Sequence, residues 1–573
     1  MDCKEKILSN QYADGVVDFP VERVVSETDD ICYIPISDRY YAVYQNREEA
    51  SRFLGSTYQY QYIPKVYGLM QVPGAGAGAN TVFDPSVLVE SGIRQLQGPP
   101  LNLRGNGVIV AIIDTGIEYD NPAFLDANGR SRILAIWDQT VQSGNPPEGL
   151  LFGTEYRKED IDRALVGQGT IETMDILRHG TIMAGIAAGS IVNGGSTYIG
   201  AAPEADIVIV KLKECKQYLR EFYFIPENVP AYEENDIMLG LHYANRYAVE
   251  FSRPIVFCLG IGTNMGDHAG NSSLGRYLNS LALTRSRAVV VCGGNEGSAR
   301  HHYTWRFSRE EEEREAYKDV EVRVAEGERG FTMEFWGNAP DVYNVSIRSP
   351  GGEVIPPLRL EAEQVNIYDF VFESTIITVQ SVLVEPGAGE ELFLFRFEMP
   401  TPGIWTFRIS TVGEVYNGTF HMWLPIIDFL SGNTYFLEAS PDTTLTEPAM
   451  AEEVISVSNY NSVNGSFYLE SGRGFSRTGR VRPDLAAPGA NVPTLYGTRT
   501  GSSLAAAITA GGAAQFLQWA VVEGNSPLAD TKEVKNYFIK GATRRPGESY
   551  PNREWGFGTL NVQGAFERLR GNI

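Results

Sequence analysis

The sequence predicts an α/β protein with a mainly parallel sheet, preceded by a small α+β unit and interrupted by an antiparallel β-sandwich. Apolar runs rich in β-branched residues alternate with helical stretches over residues 84–300, which is typical of a parallel sheet covered on both faces. Period-two alternation with turn residues replaces this pattern over 303–440, as in a β-sandwich or jelly roll. The α/β pattern then returns after residue 445.

Changes in composition divide the chain into five predicted parts. Residues 1–71 form an N-terminal α+β unit, and residues 72–84 form a linker that includes the stretch VPGAGAGAN. Such Gly-rich composition buries little surface and is flexible. The α/β domain then occupies two segments, 85–302 and 443–573, and the β-sandwich of residues 303–442 is inserted between them.

Composition excludes several classes of partner. The chain has 573 residues, with 48 Lys and Arg against 71 Asp and Glu, a net charge of −23. Nucleic acids and anionic membranes require a basic surface, so we expect neither as a partner. The sequence shows no run of about 18 apolar residues that would span a membrane. The start, MDCKEKILSNQYADG, lacks the apolar core of a secretory signal, so we expect synthesis in the cytoplasm.

The five cysteines are scattered and lack CxxC spacing. This pattern suggests a reducing compartment at synthesis and no zinc site. No cofactor is indicated. The stretch GIEYDNPAFLDANG contains Asp and Asn side chains that could hold calcium, although we favour turns for it.

Three polar residues occupy positions where open α/β sheets place their sites. Asp114 ends the apolar strand GVIVAIID, His179 precedes Gly-Thr at the start of a small-residue helix, and Asn295 follows the strand AVVVC through two glycines. Each has a purely structural alternative. Asp114 and Asn295 could stabilise turns, and His179 could be a packed histidine. The start of a helix disfavours imidazolium, so we expect this position to help keep His179 neutral.

The stretch RTGSSLAAAITAG places two serines at the start of a predicted alanine-rich helix. Serine is a favoured N-cap, so capping alone could explain Ser502 and Ser503. The full set in chain order is Asp, His, Asn, Ser. It supplies a serine nucleophile, a base, an aspartate that orients the base and an oxyanion donor. The four together favour nucleophilic catalysis over four independent structural roles.

The segments IIDTGIEYDNPAF, HGTIMAGIAAG, CGGNEGS and GSSLAAAITAG resemble the signature segments of the subtilisin-like serine proteases, or subtilases. The resemblance covers residues 85–300 and 445–573 and implies a three-layer fold with Asp114, His179 and Ser503 as the triad. It implies Asn295 as the oxyanion donor. It also places substrate-binding residues in two short segments, namely Cys258, Leu259 and Gly260 in the first and Gly293 and Gly294 in the second.

The sequence departs from the family pattern near two of these residues. Ser502 stands where the family usually has threonine, and Ile182 replaces the second histidine of the usual His-Gly-Thr-His. Arg178 precedes His179 in place of glycine, and a cation there could lower the pKa of His179. No triad member is lost.

More narrowly, the chain resembles the Csp group of clostridial spore-germination subtilases, through stretches such as RILAIWDQT and GIGTNMGDHAGNSSLGRYL. That resemblance implies that residues 1–71 are a prodomain whose tail, YIPKVYGLM, lies in the cleft as an added strand. Autocleavage is expected close to Met70 or Gln71. The expected substrate is a cortex-lytic zymogen, activated by limited proteolysis in the spore cortex or coat region.

Two alternatives remain open from the sequence. Some members of the Csp group are pseudoproteases that act as signalling partners, so the chain could be a germinant-sensing scaffold or could bind such a partner. The intact set Asp114, His179 and Ser503 argues against a scaffold role. An intracellular housekeeping subtilase fits the lack of a signal but not the long sandwich insertion.

Overall fold

The computed structural model describes residues 1–19, 21, 30–48, 60, 62–70, 86–193, 196–308, 317–358 and 363–570. The predicted linker 72–84 and Gln71 lie outside these ranges.

The N-terminal unit is a small α+β structure. Helix α1 (Cys3–Leu8) begins after Asp2, whose carboxylate accepts a hydrogen bond from the Glu5 amide at 2.8 Å in a capping box. Three strands form an antiparallel sheet in the order β1-β3-β2, namely β1 (Tyr12–Val17), β2 (Ile31–Pro35) and β3 (Tyr41–Asn46). The short strand β4 (Val66–Leu69) follows at the end of the unit.

Two of the five cysteines are paired. Cys3 and Cys32 form a disulfide, while Cys215, Cys258 and Cys292 are buried and free. The sequence spacing did not predict this pair, because α1 and β2 meet only in the folded unit.

The first part of the α/β domain alternates strands with helices. Its elements in chain order are α2 (Ser86–Glu90), β5 (Ile109–Asp114), β6 (Ile133–Asp138), β7 (Thr154–Arg157), α3 (Lys158–Leu165), α4 (His179–Ala188), β8 (Ser190–Asn193), β9 (Ser196–Ile199), β10 (Asp206–Lys211), α5 (Gln217–Tyr223), β11 (Tyr232–Glu233), α6 (Glu234–Glu250), β12 (Ile255–Leu259), β13 (Ile261–Gly262), α7 (Ser273–Ala282) and β14 (Arg287–Cys292).

An antiparallel β-sandwich follows. Its strands are β15 (His302–Arg306), β16 (Tyr317–Val324), β17 (Gly330–Gly337), β18 (Tyr343–Arg348), β19 (Val354–Ile355), β20 (Glu363–Asp369), β21 (Ile376–Val382), β22 (Glu391–Glu398), β23 (Gly403–Thr411), β24 (Thr419–Trp423) and β25 (Tyr435–Phe436). They form two sheets, in the orders β15-β24-β17-β22-β21-β20 and β19-β18-β23-β16-β25. Alternate residues such as Phe393, Phe395 and Phe397 fill the core between them, as period two requires.

The chain then returns to the α/β domain. The remaining elements are β26 (Ile455–Asn461), β27 (Leu485–Ala490), β28 (Val492–Thr494), β29 (Gly497–Arg499), α8 (Ser502–Leu517), α9 (Thr531–Gly541) and α10 (Val562–Arg570). A π-helical turn, Gln518–Val522, continues α8. Among the described helices, only Ser502–Val522 is long and apolar enough to cross a membrane, and 83% of its most apolar window is buried inside the protein.

The central sheet has eight strands in the order β27-β26-β14-β12-β5-β10-β6-β7. All pairs are parallel except β6 with β7. Alternate residues of each strand face opposite layers. In β12, Val256 and Cys258 pack on the side of α4 and α8, whereas Phe257 and Leu259 pack on the side of α6 and α7. The structure therefore confirms the predicted three-layer α/β fold with an inserted sandwich.

Candidate active site

Asp114 lies at the carboxyl end of the central strand β5 and is fully buried. Its Oδ1 accepts a hydrogen bond from the Thr115 amide at 2.8 Å and lies 2.7 Å from His179 Nδ1. Gly116 follows with a φ of +117°, a conformation that favours glycine. This turn lets the chain leave the strand sharply and keeps the carboxylate facing His179.

His179 is the first residue of α4 and is 1% exposed. A Cβ on the next residue, Gly180, would overlap the carbonyl oxygen of Gly116, so only glycine allows the helix start to approach the turn after β5 this closely. Burial acts to lower the pKa of His179, but the charge and hydrogen bond of Asp114 outweigh it, and the pKa lies above 6.5. Asp114 therefore outweighs the lowering of the His179 pKa that was expected from its position at the start of a helix.

Ser503 lies in the first turn of α8 and is fully buried. Its Oγ lies 3.0 Å from His179 Nε2. The two imidazole nitrogens thus contact Asp114 on one side and Ser503 on the other, in one chain of hydrogen bonds. The alanines of α8 are packed in the core, and their small size lets the helix approach the sheet closely.

Asp175 is a second carboxylate near His179, and it was not identified from the sequence. Asp175 accepts hydrogen bonds from Thr115 Oγ1 at 2.8 Å and Thr181 Oγ1 at 2.6 Å. Thr115 Oγ1 in turn accepts a hydrogen bond from the Gly180 amide at 2.9 Å. Asp175 therefore ties the turn after β5 to the first turn of α4. Its charge also raises the pKa of His179, as a lesser cause than Asp114.

Arg178 does not act on His179 as expected from the sequence. Its side chain is 55% exposed, its Nε lies 3.1 Å from Glu118 Oε1, and its guanidinium lies 4.6 Å from the centre of the Tyr496 ring. The expected lowering of the His179 pKa is wrong, since that pKa is raised. The left-handed conformation of Arg178, with φ of 60°, turns the side chain toward these partners.

Asn295 follows β14 through Gly293 and Gly294, of which Gly294 has a φ of +84°. Its Oδ1 accepts a hydrogen bond from the Ser502 amide at 3.0 Å. Since the oxygen end is held in this way, the Nδ2 end is the donor that this side chain retains. The role of Asn295 as an oxyanion donor stays a prediction.

The cleft next to Ser503 holds the end of the N-terminal unit. Strand β4 lies between β11 and β13, with antiparallel pairs Tyr67–Tyr232 and Leu69–Ile261. The Met70 amide donates to the Gly260 carbonyl at 2.9 Å, and the Met70 carbonyl accepts from the Ser503 amide at 3.3 Å.

The substrate-strand prediction for Cys258 and Leu259 needs correction. Both are fully buried in β12, where they pair with neighbouring strands of the central sheet. The chain leaves that sheet at Gly260, so the described pairing with β4 is made by Gly260 and by Ile261 and Gly262. A Cβ on Gly260 would lie 3.0 Å from both His179 Cε1 and Ser503 Cβ, which accounts for glycine beside the triad.

Gly293 and Gly294 face Thr446, which the sequence analysis did not identify. The Thr446 amide donates to the Gly293 carbonyl at 3.2 Å. A Cβ on Gly294 would lie 2.5 Å from Thr446 Cγ2. Thr446 is fully buried, and it occupies the space between Gly294 and Gly262. Gly294 and Gly262 therefore make room for Thr446, whereas a Cβ on Gly293 would lie 2.6 Å from Leu445 Cδ2.

Among the described residues, no group of three or more His, Cys, Asp or Glu side chains is placed to hold a metal ion. In the loop considered for calcium, Asp126 Oδ1 accepts hydrogen bonds from the amides of Asn128 and Arg130 at 2.8 and 2.9 Å. Asn121 Oδ1 accepts one from the Ala123 amide at 3.0 Å. These hydrogen bonds stabilise turns in the loop.

The arrangement suits acyl transfer. A buried carboxylate holds one imidazole nitrogen, the other nitrogen contacts a serine hydroxyl, and the amide of the same serine donates to a peptide carbonyl. These are the parts of a serine nucleophile with a general base and an oxyanion hole.

Comparison with known proteins agrees with this geometry. The family model described as the subtilase family matches residues 105–313 and 427–558, which together are more than half of the chain. The interval between the two matches lies in the β-sandwich. The structure of the CspB protease of Clostridium perfringens superposes with a TM-score of 0.75 at 29% identity, covering 85% of this chain and 98% of that one.

Two curated relatives match over shorter segments. Subtilisin-like protease SBT1.9 of Arabidopsis thaliana is 26% identical over 38% of this chain and 30% of its own length. Thermitase of Thermoactinomyces vulgaris is 24% identical over 36% of this chain and 53% of its own length. The match thus spans about a third of the plant protease and about half of thermitase. Because the family model covers both parts of the α/β domain, the chain belongs to the subtilase family of serine proteases.

Proposed function

We propose that this chain is a serine endopeptidase that cleaves its own backbone between Met70 and Gln71. The observation that carries the proposal is the contact of Met70 with Ser503. The Met70 carbonyl accepts a hydrogen bond from the Ser503 amide at 3.3 Å, while Ser503 Oγ lies 3.0 Å from the imidazole of His179. A peptide carbonyl thus lies beside both the nucleophile and an oxyanion donor.

In the proposed reaction Ser503 Oγ attacks the Met70 carbonyl carbon and His179 Nε2 takes the hydroxyl proton. Asp114 stabilises the imidazolium that forms. The Ser503 amide and Asn295 Nδ2 stabilise the negative oxygen. His179 then gives the proton to the nitrogen of Gln71, the peptide bond breaks, and an ester of Met70 with Ser503 remains. Water then attacks the ester carbonyl while His179 takes the proton of the water. His179 returns this proton to Ser503 Oγ as the ester bond breaks, and the acid of Met70 is released.

After cleavage, residues 66–70 stay paired between β11 and β13 in this proposal. Strand addition supplies main-chain hydrogen bonds on both sides. The cleaved N-terminal unit then acts as a bound prodomain, and a protein substrate reaches Ser503 only by replacing β4.

Intact mass tests the autoprocessing. Purified wild-type chain is expected as two fragments divided after Met70, and Ser503→Ala as one full-length chain. A fluorophosphonate is expected to label the wild type and not Ser503→Ala. Equal full-length masses, with no difference in labelling, would contradict catalysis and favour the scaffold alternative, in which the cleft only binds.

The physiological role that we propose rests on the resemblance to the Csp group and on the similarity to the clostridial CspB protease. In this role the chain lies in the spore cortex or coat region and activates a cortex-lytic zymogen by limited proteolysis. The test is incubation of the purified protease with such a zymogen, which should be cut at one site by the wild type and left intact by Ser503→Ala. A related pseudoprotease could be a further partner. Adding it to this incubation should then change the rate at which the zymogen is cleaved.

A further inference from the structure

Gly68 precedes Met70 by two residues in the cleft strand. Neighbouring residues of a strand point to opposite faces, so the side-chain positions of Gly68 and Met70 share one face. Gly68 pairs with Gly262 of β13, and its φ is not in the left-handed region that favours glycine. The backbone at Gly68 therefore does not itself require glycine, and the reason for a missing side chain must lie in the surrounding space.

That space is closed by the inserted β-sandwich. A Cβ on Gly68 would lie 2.5 Å from Ile426 Cδ1 and 3.3 Å from Phe429 Cε1, both closer than the 3.5–4.0 Å of favourable carbon contacts. Ile426 and Phe429 are 1% and 0% exposed. Ile426 precedes a single 3₁₀ turn, Ile427–Phe429, that follows β24, and Phe429 is the last residue of this turn. We call residues 426–429 the wall segment.

The wall segment is hydrogen-bonded to the α/β domain next to Asn295, the proposed oxyanion donor. The Ile427 amide donates to Glu296 Oε1 at 3.1 Å, and Glu296 is the residue after Asn295. The other oxygen of Glu296 lies 2.7 Å from His301 Nδ1. The Phe429 amide donates to the Ile426 carbonyl at 2.9 Å. The first bond joins the backbone of the wall segment to the α/β domain and the second closes its own turn, whereas the atom nearest Gly68 is the terminal methyl of Ile426.

A cavity of about 520 Å³ lies beside this contact, lined by residues that include Met70, Asn295 and Ile426. The Ile426 terminal methyl can turn toward it to admit one added methyl group. A β-branched or larger side chain at position 68 would also meet Phe429, which is fully buried. Crowding should therefore increase steeply from glycine to alanine to valine.

We propose that the wall segment makes this protease select glycine as the third residue before the bond that it cuts. The inference rests on the proposed endopeptidase function and narrows its substrates to extended segments with glycine at that position. The inserted sandwich then contributes directly to substrate choice, through Ile426 above all.

Autoprocessing in the full chain tests the proposal. We expect Gly68→Ala to slow cleavage after Met70 about tenfold and Gly68→Val more than about a hundredfold, from a crowding cost of ~1–3 kcal/mol. Ile426→Ala should bring the rate of Gly68→Ala to within about threefold of Ile426→Ala alone. Ile427→Ala is the matched control, because Ile427 is the neighbouring residue, is 58% exposed and should give no rescue. Wild-type rates for Gly68→Val, or equal rescue by Ile427→Ala, would overturn the selection and leave the protease function standing.

Limited digestion with trypsin measures how well β4 is docked, and it tests the proposal even if the chain does not cleave itself. In the Ser503→Ala background, trypsin should cut after Lys65 slowly when β4 is docked and quickly when it is not. We expect Gly68→Val to expose Lys65 and Ile426→Ala to restore part of the protection of Gly68→Ala. Equal protection of glycine, alanine and valine at position 68 would overturn the role of the wall segment, whatever the wild-type chain does. Thermal unfolding of each variant checks that the fold persists.

Discussion

The backbone amide of Ser503 donates a hydrogen bond to the carbonyl oxygen of Met70 at 3.3 Å. This contact joins the first turn of α8 to the last described residue of the N-terminal unit. It places an acyl carbon of the chain itself beside the serine hydroxyl, where a substrate carbonyl would have to lie. The cleft therefore holds the end of the N-terminal unit in the manner of a substrate.

Removal of the charge on Asp114 should abolish most turnover. Asp114→Asn keeps the volume but no longer stabilises the imidazolium of His179 or selects its tautomer. We expect autoprocessing to slow by about 10⁴-fold, with a circular dichroism spectrum like that of the wild type. The measurement is the rate of fragment formation after refolding. A loss of less than tenfold would contradict the role of Asp114.

The pH dependence should have an acidic limb set by His179. The imidazole must be neutral to take the Ser503 proton, and Asp114 raises its pKa above 6.5. The rate should therefore fall as the pH decreases through that raised pKa. Arg178→Gly is the control, since Arg178 is paired with Glu118, and it should leave the limb in place. A limb that moves in Arg178→Gly would show that this cation acts on His179 after all.

Loss of the Asn295 side chain should lower the turnover rate strongly and the free energy of unfolding only slightly. Asn295→Ala removes the proposed oxyanion donor and also the acceptor for the Ser502 amide. For subtilisin, loss of the corresponding donor costs about 10²–10³ in kcat, and we expect a similar loss here. The lost hydrogen bond should lower the free energy of unfolding by only about 1 kcal/mol. Rate and urea unfolding measured on the same sample separate the two effects.

A buried ion pair should hold the N-terminal unit on the α/β domain. Asp14 of β1 pairs with Lys216, whose Nζ also donates to the Tyr12 carbonyl at 3.1 Å. Their side chains are 0% and 4% exposed. Asp14→Ala would remove the carboxylate that contacts the buried ammonium and leave Glu233 as the nearby carboxylate that still acts on it, a cost of about 3 kcal/mol. The exposed pair Asp18–Arg39, in the same unit, is the control, and Asp18→Ala should cost less than about 1 kcal/mol. Urea unfolding of the Ser503→Ala chain measures both, and similar costs would contradict this account.

Much of the fold and the candidate triad could be predicted because the signals are local. Strands β5, β10, β12 and β14 of the central sheet contain continuous apolar runs, since both faces are covered. Asp114, His179 and Asn295 lie directly at strand or helix ends, where turn glycines mark the change of direction. The sandwich was predicted from period-two alternation, which β16 and β22 show in their core residues.

Contacts between distant segments could not be predicted in the same way. The sequence pointed to Cys258 and Leu259, but the cleft strand pairs from Gly260 onward, because the register is set by where β12 leaves the central sheet. Arg178 adjoins His179 in the chain, yet its left-handed backbone directs the side chain to Glu118.

The sequence by itself determined the elements, the order of the chemical groups and the place of the insertion, because these follow from hydrophobic period and turn chemistry along the chain. Only the tertiary structure decided what the groups face. It brings Met70 to Ser503, Asp175 to Thr115, and Ile426 of the sandwich against Gly68 of the cleft strand. These are encounters of segments far apart in the chain, and their geometry depends on how whole layers pack.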